Sequence, residues 1–268
     1  MLEYIAQHFQ NLYYTTLYGG VVLFLMLEHL LPRIHHNEIF YVRWFNNILL
    51  SAISFYFSWL VTAYTADYLY SVQSFTPSFI LTTINSYFIS AFALLFVAME
   101  LTSYIQHRVF HHYKLLWKLH TVHHSDTEID ATTSHRHHPI EVALATVILT
   151  SLYLLLQSPP EAFVCYFMLR LVVSIFSHSN VRVPEKLDRV LRWVIITPDF
   201  HRLHHASDRK YTDSNFGTIT PWLDHLFGTA TKIPYASQDN LETGLGYFRA
   251  PKDSRLDNLL LLPWRKAK

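Results

Sequence analysis

Residues 91–124 read AFALLFVAME LTSYIQHRVF HHYKLLWKLH TVHH, an apolar run that passes without proline or glycine into histidines at 107, 111, 120, 123 and 124. A helix turns about 100° per residue, so positions i, i+3 and i+4 project within a narrow sector of one face. His107 with His111, and His120 with His123 and His124, should therefore each aim their imidazoles at one point. The pattern returns at His201, His204 and His205. Neutral imidazole is a good ligand for iron, zinc, copper or nickel, and these histidines are more than one tetrahedral or octahedral ion can use. The spacing predicts two metal ions shared among three helical segments.

Working outward, the composition places this helical pattern in a membrane. Hydrophobic residues make up 51% of the 268 and charged residues 15%, against roughly 25% charged in soluble domains. A formal net charge of +1 and the lack of a basic groove interleaved with aromatics argue against nucleic acid as a partner. The single cysteine, Cys165, lies in an apolar run and has no intramolecular disulfide partner.

The apolar stretches give the organisation. The first, Leu12 to Leu31, ends at Pro32 and Arg33, and because Arg33 is the first Lys or Arg it reads as an uncleaved anchor rather than a signal peptide. The second, Trp44 to Tyr64, and the third, Phe79 to Met99, flank a polar turn with Asp67, Ser71, Gln73 and Pro77. Together they predict a transmembrane hairpin. A fourth block, Val142 to Ser177, is divided by Ser158, Pro159, Pro160 and Glu161 into two short helices that either barely span or enter and return. The chain reads as one unit over 1–268, with spans in 1–100, a histidine-bearing region in 101–230 that includes the 142–177 hairpin, and a tail in 231–268. Arg33 and Arg43 lie between the first two spans, the turn from Asp67 to Ser78 has no Lys or Arg, and basic residues return at Arg108, Lys114 and Lys118. This bias puts the N-terminus outside and the histidines on the cytoplasmic face of a bacterial inner membrane or the endoplasmic reticulum. Arg182, Lys186, Arg189 and Arg192 bring the last histidine cluster to the same face.

Further residues bear on the site. Ser177-His178-Ser179-Asn180 ends the last apolar helix and sets His178 at the membrane surface as an additional ligand candidate. Thr197 is placed to cap a helix with Pro198 in its first turn, aiming the third cluster. Glu100, Glu141 and Asp199 are candidates to orient ligand imidazoles by accepting their distal N–H groups; the alternative for each is a solvated or ion-paired carboxylate. Arg170, inside the last apolar helix, is either functional or snorkels or ion-pairs near the helix end. His112, His135 and His137 read as surface or supporting residues, and His8, His29, His35, His36 and His225 as ordinary structural histidines. Tyr13, Tyr14, Tyr18, Tyr56 and Trp59 read as interface belts and helix packing, with some lining a substrate tunnel as the alternative.

The boxes H-x-x-x-H, H-x-x-H-H and H-x-x-H-H occur with Tyr104, His107-Arg108, Leu116-Trp117, His123-His124-Ser125, Arg136-x-His138-Pro139-x-Glu141, His178-Ser179-Asn180 and Thr197-Pro198. Asn215-Phe216-Gly217, Trp222, Asp224 and Phe227-Gly228-Thr229 follow. Over roughly residues 90–230 this set resembles the membrane fatty acid hydroxylase and sterol desaturase superfamily. The resemblance implies an all-α polytopic membrane bundle whose cytoplasmic helical cap holds a histidine-rich di-metal site. It implies a di-iron, O2-dependent enzyme that hydroxylates or desaturates a membrane lipid, such as a sterol or fatty acyl chain. The implied ligands are His107, His111, His120, His123, His124, His201, His204 and His205, with His178 as a ninth and His138 as a further candidate. Oxidising an unactivated C–H bond exceeds what acid–base side chains can do, so a redox metal must carry it. No flavin, haem or ferredoxin motif is visible, which implies an external donor protein of cytochrome b5, ferredoxin or reductase type. The alternative is a non-catalytic or transport-type zinc-binding membrane protein; a zinc hydrolase is disfavoured because H-E-x-x-H is absent.

Overall fold

A computed structural model describes residues 8–35, 41–72 and 79–266; His36, Gln73, Pro77 and Lys268 lie outside the described residues. The described chain is helical, without strands. In order come α1 (Phe9–Leu30), α2 (Tyr41–Val72), α3 (Phe79–Asn85), α4 (Phe88–His112), α5 (Lys114–His124), α6 (Pro139–Leu156), α7 (Pro160–His178), α8 (Glu185–Leu191) and α9 (Pro198–His204), followed by short helical turns. Residues 41–69 of α2, together with α4, α6 and α7, are long and apolar enough to cross a membrane. Their outer faces explain why the chain needs one. Phe45, Ile48, Phe57, Val97, Ile105, Val147, Ile148, Leu155 and Val172 are all exposed, an apolar surface far larger than a soluble protein tolerates. The first expected span forms α1, but Tyr13-Tyr14-Thr15-Thr16 and Gly19-Gly20 dilute it, and it is not among those four.

The helices run up and down, with their histidine-bearing ends together. At that end, Arg33, just after α1, bonds Asp199 at 2.9 Å, and Arg43, in the first turn of α2, bonds Asp126 at 2.8 Å. At the far end, Asn85 donates to the carbonyls of Leu156 and Gln157 at 3.0 Å each, joining α3 to the turn between α6 and α7. That turn follows from its residues: Gln157 adopts a left-handed conformation (φ 50°) that closes α6, and Pro160 starts α7 where a missing N–H costs nothing. The helices of this hairpin have 18 and 19 residues, each roughly 28 Å long and close to the hydrocarbon thickness.

Two boundaries differ from expectation. The stretch Phe79 to Met99 is not one span: it breaks around Ser86 and Tyr87, where Asn85 turns its side chain to α6 and Ser90 bonds the Ile84 carbonyl at 2.6 Å. The spanning helix is α4, which runs without interruption to His112, so His107 and His111 ride on its last turns rather than on a cap beyond it. The second break falls at Tyr113, a single extended residue (φ −89°, ψ 119°) that reverses the chain and lays α5 against α4.

A core of Leu95, Met99, Leu149, Tyr166, Val173, Phe200 and Ile219 joins α4, α6, α7 and α9. The segment between α5 and α6 is tied to α2 by buried charge. Arg43 bonds Asp126 and Asp130, Arg136 donates to the Val122 carbonyl, Asn47 and Ser125 at 2.8–3.0 Å, and Thr133 bonds Asp126 at 2.7 Å. Removing one member of such a pair leaves an uncompensated buried charge, costing about 3–5 kcal/mol.

Candidate metal centre

Among the described residues, nine imidazoles meet at the histidine-bearing end in two adjoining groups. His107, His111, His120, His124 and His204 form one; His123, His178, His201 and His205 form the other; within each, the candidate ligand nitrogens lie within 4.8 Å of one another. The groups touch, with the rings of His124 and His205 stacked at 4.5 Å. The second and third boxes do not each aim at one point, as their spacing had suggested. His120 and His124 face the group of five while His123 faces the group of four; His201 and His205 face the group of four while His204 faces the group of five. Helix geometry explains the split: i and i+4 differ by about 40° around the axis, whereas i+3 and i+4 differ by about 100°. Each H-x-x-H-H box thus serves both groups.

The remaining ring nitrogens reveal the tautomer of five of these histidines. Nδ1 of His107 faces the Phe216 carbonyl at 2.9 Å, Nδ1 of His204 the Ser214 carbonyl at 2.7 Å, and Nδ1 of His178 the Ser174 carbonyl at 2.8 Å. A carbonyl only accepts, so these Nδ1 atoms hold the proton and each Nε2 turns a lone pair toward its group. Carboxylates do the same for two more: His120 Nδ1 donates to Glu141 at 2.8 Å and His111 Nδ1 to Asp213 at 3.1 Å. The Nε2 atoms then crowd together, at 3.1 Å between His107 and His120, 3.2 Å between His123 and His178, 3.0 Å between His178 and His201, and 3.2 Å between His201 and His205. Nε2 of His111, His124 and His204 is buried without a hydrogen-bond partner. The facing lone pairs of His107 and His120, and the buried nitrogens left unsatisfied among the described residues, are what a cation between them would resolve.

Electrostatics keeps the rings neutral. Burial pushes His204 down to about 3, and holds His123, His124, His201 and His205 well below the ordinary histidine range, with neighbouring imidazoles adding to the effect. At neutral pH these rings are ligands rather than cations.

The other expected site residues divide. Glu141 touches the centre, bonding His120 and, at 2.9 Å, His137, whose ring stacks on His123 at 4.2 Å. Glu100 does not: it accepts from the backbone N–H groups of Ile219 and Thr220 at 3.1 Å and from Tyr166 at 3.2 Å, clamping the loop under α9. Asp199 does not either, since it pairs with Arg33. His138 belongs to neither group; its Nδ1 caps α6 by accepting from Ile140 N–H at 3.2 Å, and its Nε2 faces the Leu260 carbonyl at 3.2 Å. Thr197 caps α9, accepting from Phe200 N–H at 3.4 Å and donating to Asp188 at 2.5 Å.

Sequence reasoning missed Asp213 and the three carbonyls. The signal for two of these, Ser214 and Phe216, lay in Asn215-Phe216-Gly217 and Asp224. Asp224 accepts from the N–H groups of Phe216 and Gly217 at 2.8 Å each, Asn215 takes a left-handed conformation (φ 55°), and a Cβ on Gly217 would lie 2.5 Å from the Thr220 carbonyl. This tight turn holds the Ser214 and Phe216 carbonyls against His204 and His107.

A cavity of about 590 Å³ opens from the two groups into the bundle. His107, His120, His123, His178 and His201 stand at its inner end, and Phe163, Phe167, Leu149, Phe9, Tyr13, Tyr14 and Trp59 line its length. Tyr13, Tyr14 and Trp59, expected at the membrane interface, thus form part of its wall. Its size suits a lipid chain.

A membrane-embedded helical bundle burying paired imidazole groups at the end of an apolar cavity defines the class. The chain belongs to the fatty acid hydroxylase family, whose model matches residues 92–229. It is 28% identical to alkylglycerol monooxygenase of Xenopus tropicalis over 139 residues, 51% of this chain and 29% of that protein. It is 26% identical to an ornithine lipid hydroxylase of Rhizobium tropici over 145 residues, 54% of this chain and 43% of that protein. With a very-long-chain aldehyde decarbonylase of Oryza sativa subsp. japonica the identity is 29% over 143 residues, 50% of this chain and 22% of that protein. The matched region spans less than half the length of each of these relatives. No solved structure matches the chain.

Proposed function

We propose that this protein is an O2-dependent di-iron enzyme that oxidises a C–H bond of a membrane lipid, by hydroxylation or desaturation. The observation that carries the reading is the pair of buried imidazole groups, with converging ring nitrogens, at the inner end of an apolar cavity. Family membership and relatives named as a monooxygenase and a lipid hydroxylase support it. His107, His111, His120, His124 and His204 would hold one iron, and His123, His178, His201 and His205 the other. Bound there, the irons would supply the redox chemistry that activates O2 toward an unactivated C–H bond.

This chain's own residues supply position and exclusion. Phe163, Phe167 and Leu149 hold the lipid chain and keep water from the reacting end. Glu141 keeps the His120 proton on Nδ1, and the Phe216 and Ser214 carbonyls do so for His107 and His204. Electrons come from an external donor protein of cytochrome b5, ferredoxin or reductase type, docking at the histidine-bearing face. The Lys and Arg bias supports a cytoplasmic location for that face; a tag after Lys268 and a tag between Asp67 and Ser78 should report opposite sides.

The test is metal content together with oxygen uptake. Protein purified at native expression should carry iron and consume O2 when given a reductant, a donor protein and a membrane lipid extract. Lipidomics of a deletion strain should reveal the precursor that accumulates. Zinc in place of iron, with no oxygen uptake, would favour a non-catalytic or transport-type zinc protein instead.

A further inference from the structure

Halfway along the apolar sequence of α7 stands one arginine. A guanidinium in such a helix ordinarily snorkels to the interface or pairs with a carboxylate. Among the described residues Arg170 pairs with no carboxylate, and its guanidinium turns across to α4. Its side chain lines the cavity beside Tyr13, Ser103, Gln106 and Ser174. Among the described residues its one hydrogen bond runs from Nη1 to Ser103 Oγ, at 3.0 Å, and no carboxylate pairs with it. Glu100, one turn before Ser103 on α4, has its oxygens engaged by Tyr166, Ile219 and Thr220. Guanidinium offers five N–H donors, accepts nothing and stays protonated in proteins. Most of its donors are therefore left without a partner among the described residues, and Glu100, close enough to act on it through space, makes no bond to it.

Its level in the bundle is also fixed. Ser103 precedes His107 by one helical turn, and Arg170 precedes His178 by two turns with Ser174 between them on the same face. The guanidinium is thus about one turn, roughly 5 Å along α4, from the first imidazole. A group bound there would hold a lipid's polar end at a set distance from the metal ligands, and Phe163, Phe167 and Leu149 would take its hydrocarbon.

Resting on the lipid-oxidation reading above, we propose that Arg170 binds the oxyanion of an acidic lipid, a carboxylate or a phosphate, and so selects which carbon lies beside the histidine groups. The planar fork suits both anions through paired N–H donors. Arg170 is then a specificity residue for an acidic amphiphile, and neutral lipids of the same chain length bind less well.

The experiment is a binding measurement on purified, iron-loaded protein in nonionic detergent. Dibromostearic acid and dibromostearyl alcohol are the probes, read by quenching of Trp59, which lines the cavity; the signal is isolated as the difference from Trp59→Phe. The acid should bind wild type at least tenfold more tightly than the alcohol. Arg170→Met should weaken the acid tenfold or more while leaving the alcohol unchanged, and Arg170→Lys should restore part of the preference. Brominated lysophosphatidic acid separates the two anions: tighter binding than the fatty acid assigns phosphate, weaker binding assigns carboxylate. Equal affinities of wild type for acid and alcohol, or an acid preference that survives Arg170→Met, overturns the proposal. Where Arg170→Met does not fold, the wild-type preference and the Arg170→Lys response decide it. Iron is measured in the same samples: its absence from wild type defeats the di-iron reading, while an iron-bearing wild type that binds acid and alcohol equally defeats only the role of Arg170.

Discussion

The two imidazole groups are built from the same boxes yet are braced differently. In the group of five, four rings have Nδ1 fixed by an acceptor: His107 by the Phe216 carbonyl, His204 by the Ser214 carbonyl, His120 by Glu141 and His111 by Asp213. In the group of four, only His178 is fixed, by the Ser174 carbonyl, while Nδ1 of His123, His201 and His205 is buried without a partner. An acceptor behind a ring sets its tautomer, fixes its orientation and raises its basicity as a ligand. The protein thus organises the first group in advance, whereas the second relies on its occupant for order. Metal ions bound in the two groups should differ in affinity.

The largest effect comes from removing a ring from either group. His204→Ala and His123→Ala should each lower turnover at least a hundredfold and cut bound metal, with the protein still inserted, because the spans depend on burial in lipid. Turnover retained by both variants would remove the di-metal assignment; membrane fractionation and elemental analysis give the readouts. Chelation tests the asymmetry directly. Under a timed iron chelator, one equivalent should leave quickly and the second slowly, and in His205→Ala the fast phase should vanish first. Release of both equivalents in one phase would mean that the bracing does not set affinity. Smaller effects follow from the acceptors themselves. Glu141→Gln should cost about 10–100-fold in metal affinity or activity, measured by competitive metal titration. Asp213→Asn should cost only a few-fold, since the Asp213 side chain is 42% exposed and also pairs with Arg209. The smallest effect belongs to His138→Ala, which removes a helix cap worth about 1 kcal/mol of stability and should leave metal content unchanged. A matching metal loss there would return His138 to the ligand set.

Much of this centre is legible in the chain because helical spacing fixes which side chains share a face. The nine imidazoles that meet were all marked by spacing or, for His178, by where an apolar helix must end. Their division into two groups was hidden in the difference between i+3 and i+4, and it emerges only once α5 and α9 lie between two neighbours. The carboxylates failed for a geometric reason. Asp199 stands two residues before His201, about 200° away around α9, and so reaches Arg33 instead of the ring. Glu100 shares a face with His107 but lies two turns, roughly 10 Å, down α4. Glu141, distant in sequence from His120, meets it because the turn before α6 folds back, which no helical wheel displays. Backbone acceptors are harder still, since every residue has a carbonyl; Gly217 and Asp224 were the legible trace of the turn that aims two of them.

The bond from Arg43 to Asp126 has a consequence for the order in which the molecule is made. Its partners lie 83 residues apart, and at 5–20 residues per second the carboxylate emerges on the order of ten seconds after the guanidinium. Arg43 therefore acts twice. On the orientation proposed above, its charge would retain the start of α2 on one side of the bilayer as the nascent chain inserts. Later it receives the loop that follows the second histidine box. The side chosen during insertion is thereby the side on which the imidazoles assemble, so an error in orienting α2 would be carried forward to the metal centre.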